Sequence, residues 1–288
     1  MTNPFLTHWQ IQERPFEPVT DSRFYFQSRA HAEALARLGY LVAEETMYLG
    51  MLTGEIGCGK TMTRHLFASQ ADPDRICVIQ FENSFFRLED HLKRILVAFG
   101  LEREAAGASN LYDCYALFRD MLDQLHRLHQ RHLLLLFDEA QDMDDETLSQ
   151  INRLTNLNDQ GRGLLTIVLI GQPELRRRVA VLPSLDQRIG LRFHLGSLSP
   201  EDTGPYLAHR LRVAGHPTGE VFDADAVRVL GASGRSVPRE LNRLAKLSME
   251  HARAQGRRHV SGLDIETVLR DLRRHQLNTP ATLIPSPT

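Results

Sequence analysis

The run Met47-Tyr-Leu-Gly-Met-Leu-Thr53 passes directly into Gly54-Glu-Ile-Gly-Cys-Gly-Lys-Thr61. An apolar segment that breaks into a glycine-rich turn and resumes with helix-forming residues reads as buried strand, tight loop and helix, which points to an α/β fold. The glycines let backbone N–H groups turn inward on an anion at a helix N-terminus. Lys60 is then placed to reach the β- and γ-phosphates of a nucleotide, and Thr61 to offer its hydroxyl to Mg²⁺. The candidate cradle is Gly54, Glu55, Ile56, Gly57, Cys58, Gly59, Lys60, Thr61 and Met62. Lys60 is one of three lysines, with Lys93 and Lys246, in a chain whose positive charge is otherwise arginine.

A metal-bound phosphate also needs a carboxylate at the end of a neighbouring buried strand. His132-Leu-Leu-Leu-Leu-Phe137 is a continuous apolar run, as expected of a central parallel strand covered on both faces, and it ends in Asp138-Glu139. Asp138 would hold the metal, directly or through water. Glu139, one residue on, is placed to polarise an attacking water, which is general-base work.

The rest of the chain is consistent with a soluble globular protein. Its 288 residues suffice for one large domain or a large and a small one, and the net charge of −2 exerts no general pull on nucleic acid, so any DNA contact needs a local basic patch. Three cysteines, Cys58, Cys77 and Cys114, lack CxxC pairing, and the thirteen histidines lack HExxH spacing, which argues against a disulfide framework or a metal other than Mg²⁺. Cys58 reads as a small filler within the loop. With no basic-then-apolar leader and no apolar stretch near the roughly twenty residues that span a bilayer, the expectation is a cytoplasmic, reduced protein with no membrane contact.

Along the chain, residues 1–30 carry Pro4-Phe5, Arg14-Pro-Phe16 and Phe24-Tyr-Phe26, and read as an extended aromatic strap on a core. Helices are expected at His31–Glu45, Lys60–Ser69, Leu88–Phe99, Leu111–Leu128 and Glu146–Leu157, with a loop of small residues at Glu102–Asn110. Further strands are expected at Ile76–Phe81 and Leu164–Ile170. Alternation of strand and helix predicts a parallel sheet flanked by helices over residues 31–198. From Ser199 only helical patterns remain, near 200–214, 223–232, 238–255 and 262–273. Residues 199–275 therefore read as a small all-α lid, with N-caps at Ser199-Pro-Glu-Asp202 and Ser261-Gly-Leu-Asp264. The tail, residues 276–288, carries three prolines and is expected to be disordered.

Polar residues at the strand ends complete the list. Gln172, after the Leu164–Ile170 run, is either a turn residue or one that positions the water and senses hydrolysis. Arg188, before the strand-like Leu191–Leu195, could project onto a neighbouring subunit's nucleotide to stabilise transition-state charge, with Arg192 as competitor. Arg239 opens a helix after Pro238, a position unfavourable to the helix dipole, which favours a functional reason for it. Arg87, Lys93, Arg94 and Arg103 are candidate DNA phosphate contacts or, in the ordinary reading, solvated helix charges.

Taken in order, GEIGCGKT, LLLLFDEAQ, LIGQPEL, LDQRIGLRF and SVPRELNRL resemble the AAA+ ATPases of the ExeA/TnsC group, over roughly residues 10–275. That group contains secretion-associated ATPases and transposition regulators related to MuB. The resemblance implies ATP and Mg²⁺ as cofactors, hydrolysis to ADP and phosphate, Lys60 and Thr61 as Walker A residues, and Asp138 and Glu139 as Walker B. It further implies Gln172 as sensor 1, Arg188 as arginine finger and Arg239 as sensor 2. Secretion-type members continue into a membrane span and a peptidoglycan-binding module, whereas this sequence ends after the lid. The resemblance therefore favours a regulator that forms ATP-dependent rings or filaments on duplex DNA and recruits a transposase, hydrolysis dissolving the oligomer. The alternative is an ExeA-type ATPase energising assembly of a secretion or envelope machine. A third reading, a nucleotide-locked adaptor without turnover, sits poorly with Glu139.

Overall fold

The computed structural model describes residues 3–18, 21–44, 47–159, 162–233 and 236–277. In chain order these hold α1 (Pro4–Trp9), α2 (Arg29–Ala43), β1 (Leu49–Gly54), α3 (Lys60–Gln70), β2 (Ile76–Phe81), α4 (Leu88–Ala98), α5 (Glu102–Gly107), α6 (Leu111–His129) and β3 (His132–Phe137). There follow α7 (Asp145–Leu154), β4 (Asn158–Asp159), β5 (Arg162–Gly163), β6 (Leu165–Gly171), α8 (Pro173–Ala180), α9 (Pro183–Asp186) and β7 (Leu191–Leu195). The chain ends with α10 (Pro200–Val213), α11 (Ala224–Ala232), α12 (Pro238–Ala254) and α13 (Gly262–Leu277).

Residues 29–196 form one compact unit. Its sheet runs β2-β3-β6-β1-β7, all parallel, with β4 and β5 as a separate antiparallel pair. Burial follows position in that order. Strands β1 and β6 are buried at every residue and β3 at all but its first, while the edge strand β7 alternates exposed and covered residues. This is why the leucine run of β3 shows no polar alternation: both of its faces are covered. The apolar faces of α4, α6 and α7 close over the sheet through Leu92, Ile95, Phe118, Leu122, Leu148 and Ile151. Parallel strands end on one side, so the C-terminal ends of β1, β3 and β6 lie together, with β6 between the other two.

The second unit comprises the described residues before 29 and after 196. Its core joins Phe5, Trp9, Ile11, Phe16 and Phe24 to Leu207, Leu211, Leu241, Leu244, Met249 and Ile265. Both expected caps are present: Ser199 Oγ accepts from Asp202 N at 3.2 Å, and the Asp264 carboxylate accepts from Ser261 N at 2.9 Å. Residues 278–288 of the expected tail, and Gly234 and Arg235 of the stretch leading to Arg239, lie outside the described residues.

Two expectations change. The N-terminal segment is not extended throughout: Asn3 caps Phe5 N at 3.0 Å, Pro4 fills the first helical position, and the short α1 results. The small residues 102–107 form α5, not loop, because Glu102 and Glu104 suit a first turn and Ala105 is buried.

Candidate nucleotide site

Between β1 and α3 the chain turns through Gly57 at φ 83° and Gly59 at φ 105°, backbone that side chains rarely adopt. The turn is also crowded. A Cβ on Gly59 would lie 2.7 Å from His31 Nε2, and one on Gly54 would lie 2.6 Å from Cys58 Sγ. The His31 ring lies 3.1 Å from the Cys58 carbonyl oxygen and braces the loop from α2. Cys58 is buried, and burial pushes its thiol up against the pull of Lys60, which suits a residue that fills space in the loop. Glu55 and Ile56 are exposed, and Met62 is half-buried. Helix α3 starts behind Gly59 with no capping side chain, which leaves its first N–H groups for an anion. The buried Lys60 ammonium donates to the Gly54 and Glu55 carbonyls at 2.8 and 3.1 Å. Both partners are neutral, and among the described residues no carboxylate pairs with this ammonium.

The end of β3 meets this loop. Thr61 Oγ1 donates to Asp138 Oδ2 at 3.0 Å, and Arg64, one turn further along α3, brings its Nε to 3.3 Å from the same oxygen. Arg64 and Asp138 are both buried, at 1% and 3% exposure, so this is a desolvated ion pair. Burial pushes the Asp138 carboxyl up from its ordinary range, opposed chiefly by Arg64 and then by the Glu139 N–H and the Thr61 hydroxyl. Ser84, after β2, donates to the Asp138 carbonyl at 2.5 Å. Phe137 stacks on Phe81 with centroids 4.6 Å apart, which steadies the two strand ends.

Glu139 follows at φ 50°, outside the strand conformation. Gln141 Nε2 donates to Glu139 Oε2 at 2.9 Å, while Gln141 Oε1 accepts from Gln172 N, also at 2.9 Å. Gln172 caps no helix with its side chain, although it directly precedes α8. Arg178 in α8 donates to the Gln141 and Met143 carbonyls and pairs with Asp145 at 2.5 Å.

The remaining candidates divide. Arg188 is exposed and donates to the neutral Asn156 Oδ1 at 2.8 Å, whereas Arg192 is paired with Asp186 at 2.8 Å. Arg239 is exposed at the start of α12 in the helical unit. Of the basic residues near α4, Lys93 pairs with Glu89 at 2.7 Å and Arg94 lies over the Phe81 ring at 5.5 Å, while Arg87 and Arg103 are exposed. His31, Arg64, Ser84, Gln141 and Arg178 escaped the sequence reading. Only Gln141 carried a local signal, as the last letter of DEAQ.

The open α3 N-terminus, the Lys60 ammonium and the Thr61–Asp138 pair fit a nucleotide phosphate with its metal. Residues 43–179 match the family model of an AAA domain. Over 258 residues the chain is 33% identical to general secretion pathway protein A of Aeromonas hydrophila, covering 88% of this chain and 46% of that protein. The chain thus spans about half the length of that curated relative. Among solved structures, the Aeropyrum pernix ORC2 protein in ADPNP–ADP complexes aligns with a TM-score of 0.64 at 18% identity, over 92% of this chain and 74% of that one. Drosophila ORC bound to DNA aligns with a TM-score of 0.62 at 16% identity, over 94% of this chain and 66% of that one. These two likenesses concern the fold alone. The glycine turn, the Asp-Glu strand end and the AAA match fall on the same residues, so residues 43–179 form an AAA domain with the P-loop of an ATPase.

Proposed function

We propose that the protein is an oligomeric ATP switch that hydrolyses ATP with Mg²⁺ and energises assembly of a secretion or envelope machine. The observation that carries the catalytic part is the 3.0 Å bond joining Thr61 to Asp138, with Lys60 and Glu139 on either side of it in sequence. The N–H groups of Gly57 to Met62 and the Lys60 ammonium would hold the phosphates, and Thr61 and Asp138 the metal. Bound Mg²⁺ supplies neutralisation of charge on the phosphate oxygens. Glu139 takes a proton from the attacking water and Gln172 orients that water, while Arg239 is kept as the sensor 2 residue that the resemblance implies. Arg188, with no carboxylate on it among the described residues, reaches a neighbouring subunit's nucleotide in a ring or filament. The 33% identity to general secretion pathway protein A supports the secretion role.

A second reading, a regulator that oligomerises on duplex DNA and recruits a transposase, draws support from the fold likeness to Drosophila ORC bound to DNA. Arg87 and Arg103 remain as candidate phosphate contacts in it. Pairing of Lys93 with Glu89 counts against it. Phosphate release measured with and without duplex DNA tests the choice. Turnover unchanged by DNA supports the first reading. A nucleotide-dependent DNA complex that weakens steeply with salt, and stimulates turnover, overturns it in favour of the second.

A further inference from the structure

We propose that Gln141 is a positioning residue for hydrolysis, its carboxamide holding the Glu139 carboxylate toward the water and tying it to the end of β6. This rests on the reading of Glu139 as general base. The two bonds, 2.9 Å to Glu139 Oε2 and 2.9 Å from Gln172 N, use both ends of one planar amide. The orientation of that amide is fixed by its partners. A carboxylate accepts only and an N–H donates only, so the flipped amide would face oxygen with oxygen and N–H with NH₂.

The surroundings hold Gln141 in this role. Arg178 donates to its carbonyl and to that of Met143, which pins the turn after β3 from α8. Gly171 leaves the space the amide needs, since a Cβ there would lie 2.6 Å from Gln141 Oε1. The left-handed backbone of Glu139, at φ 50°, aims its side chain off the strand direction and back into reach of residue 141. With Oε2 occupied and no hydrogen bond to Oε1 among the described residues, the Glu139 Oε1 is the atom that accepts a proton from water. Gln141 itself neither gains nor loses a proton. Its second bond makes the base sensitive to any displacement of Gln172, so the end of β6 and the catalytic carboxylate move as one.

The substitutions Gln141→Ala and Gln141→Glu separate the parts of this clamp. The alanine removes both bonds, whereas the glutamate keeps an acceptor for Gln172 N–H and loses the donor to Glu139. Both are made in the full chain, in the wild-type and Glu139→Gln backgrounds, and followed by phosphate release with Mg²⁺-ATP, by binding of a fluorescent ATP analogue and by thermal melting. The expected result is a fall in kcat of about tenfold or more for both variants. KM, analogue affinity and melting temperature should stay close to wild type, with affinity within about twofold. In the Glu139→Gln background neither variant should lower the residual rate further, because the group it positions is already gone. Wild-type kcat in Gln141→Glu, parallel losses of kcat, affinity and melting temperature, or fully additive losses with Glu139→Gln would each overturn the proposal. A wild-type protein that binds the analogue yet releases no phosphate would overturn the general-base reading and this inference together, an outcome distinct from variants that match an active wild type.

Discussion

The Thr61 hydroxyl donates to Asp138 Oδ2 at 3.0 Å across 77 positions of sequence, joining the glycine loop to the acidic end of β3. That bond pre-assembles a hydroxyl and a carboxylate side by side, the donor pair a hard divalent cation takes up together with phosphate oxygens. Thr61→Val keeps the shape and removes the hydroxyl. Turnover should fall by about tenfold or more and require more Mg²⁺ for half-saturation, as a magnesium titration of phosphate release would register.

Glu139→Gln should keep nucleotide affinity and lose turnover by about 10²- to 10⁴-fold, the usual worth of a general base. Equilibrium binding and single-turnover measurements on the same preparation check both halves. An undiminished rate would remove Glu139 from the mechanism.

Arg64 and Asp138 are buried together, and neither Arg64 Nε nor Nη1 finds a hydrogen-bond partner among the described residues. Arg64→Met strands the Asp138 charge, and the expected loss is about 3–5 kcal/mol of stability by urea unfolding. Pairing the change with Asp138→Asn should restore part of that loss, because no buried charge is then left alone.

Gly59→Ala combines backbone at φ 105° with a Cβ 2.7 Å from His31 Nε2. The strain should cost about 1–3 kcal/mol and weaken nucleotide binding, measured by denaturation and by binding of a fluorescent analogue. A Gly39→Ala control meets open space and should do neither.

The Asp264 carboxyl is held below its ordinary range: burial pushes it up, but the Ser261 N–H and hydroxyl and the Arg257 guanidinium together outweigh that. A depressed folded-state pKa contributes stability that is present above the unfolded value and is lost as pH falls through the folded one. Asp264→Asn should therefore be less stable than wild type at pH 7, with the difference shrinking once acidification passes below about 3.8, the ordinary value. Urea melts of both proteins across that range give the comparison.

Arg188→Ala should lower turnover by about a thousandfold if it completes a neighbouring site, while Arg192→Ala should have a small effect. The structural ground is that Asp186 already neutralises Arg192, whereas Arg188 meets only a neutral amide among the described residues. Turnover measured against protein concentration distinguishes a site completed in trans from one completed within the subunit.

Sequence alone determined the strands β2, β3 and β7 to the residue and the glycine turn, and it named Lys60, Thr61, Asp138 and Glu139 as the candidate set. Each of these is written locally: short β-rich runs bounded by turn residues read as strands, and an anion loop needs glycine and lysine at fixed spacing. Tertiary structure alone decided which partners those residues have. Nothing in the sequence marked Arg64, which acquired its role only when α3 packed it on Asp138, and Gln141 acquired its second partner only when β6 came alongside β3, 31 positions later. The aromatic residues before position 29 announced burial, but the core that receives them is built from helices after position 196. The physical reason is the same in each case. Periodicity and motif spacing encode what a segment needs buried or liganded, while the atoms that meet the need come from segments brought together only by folding.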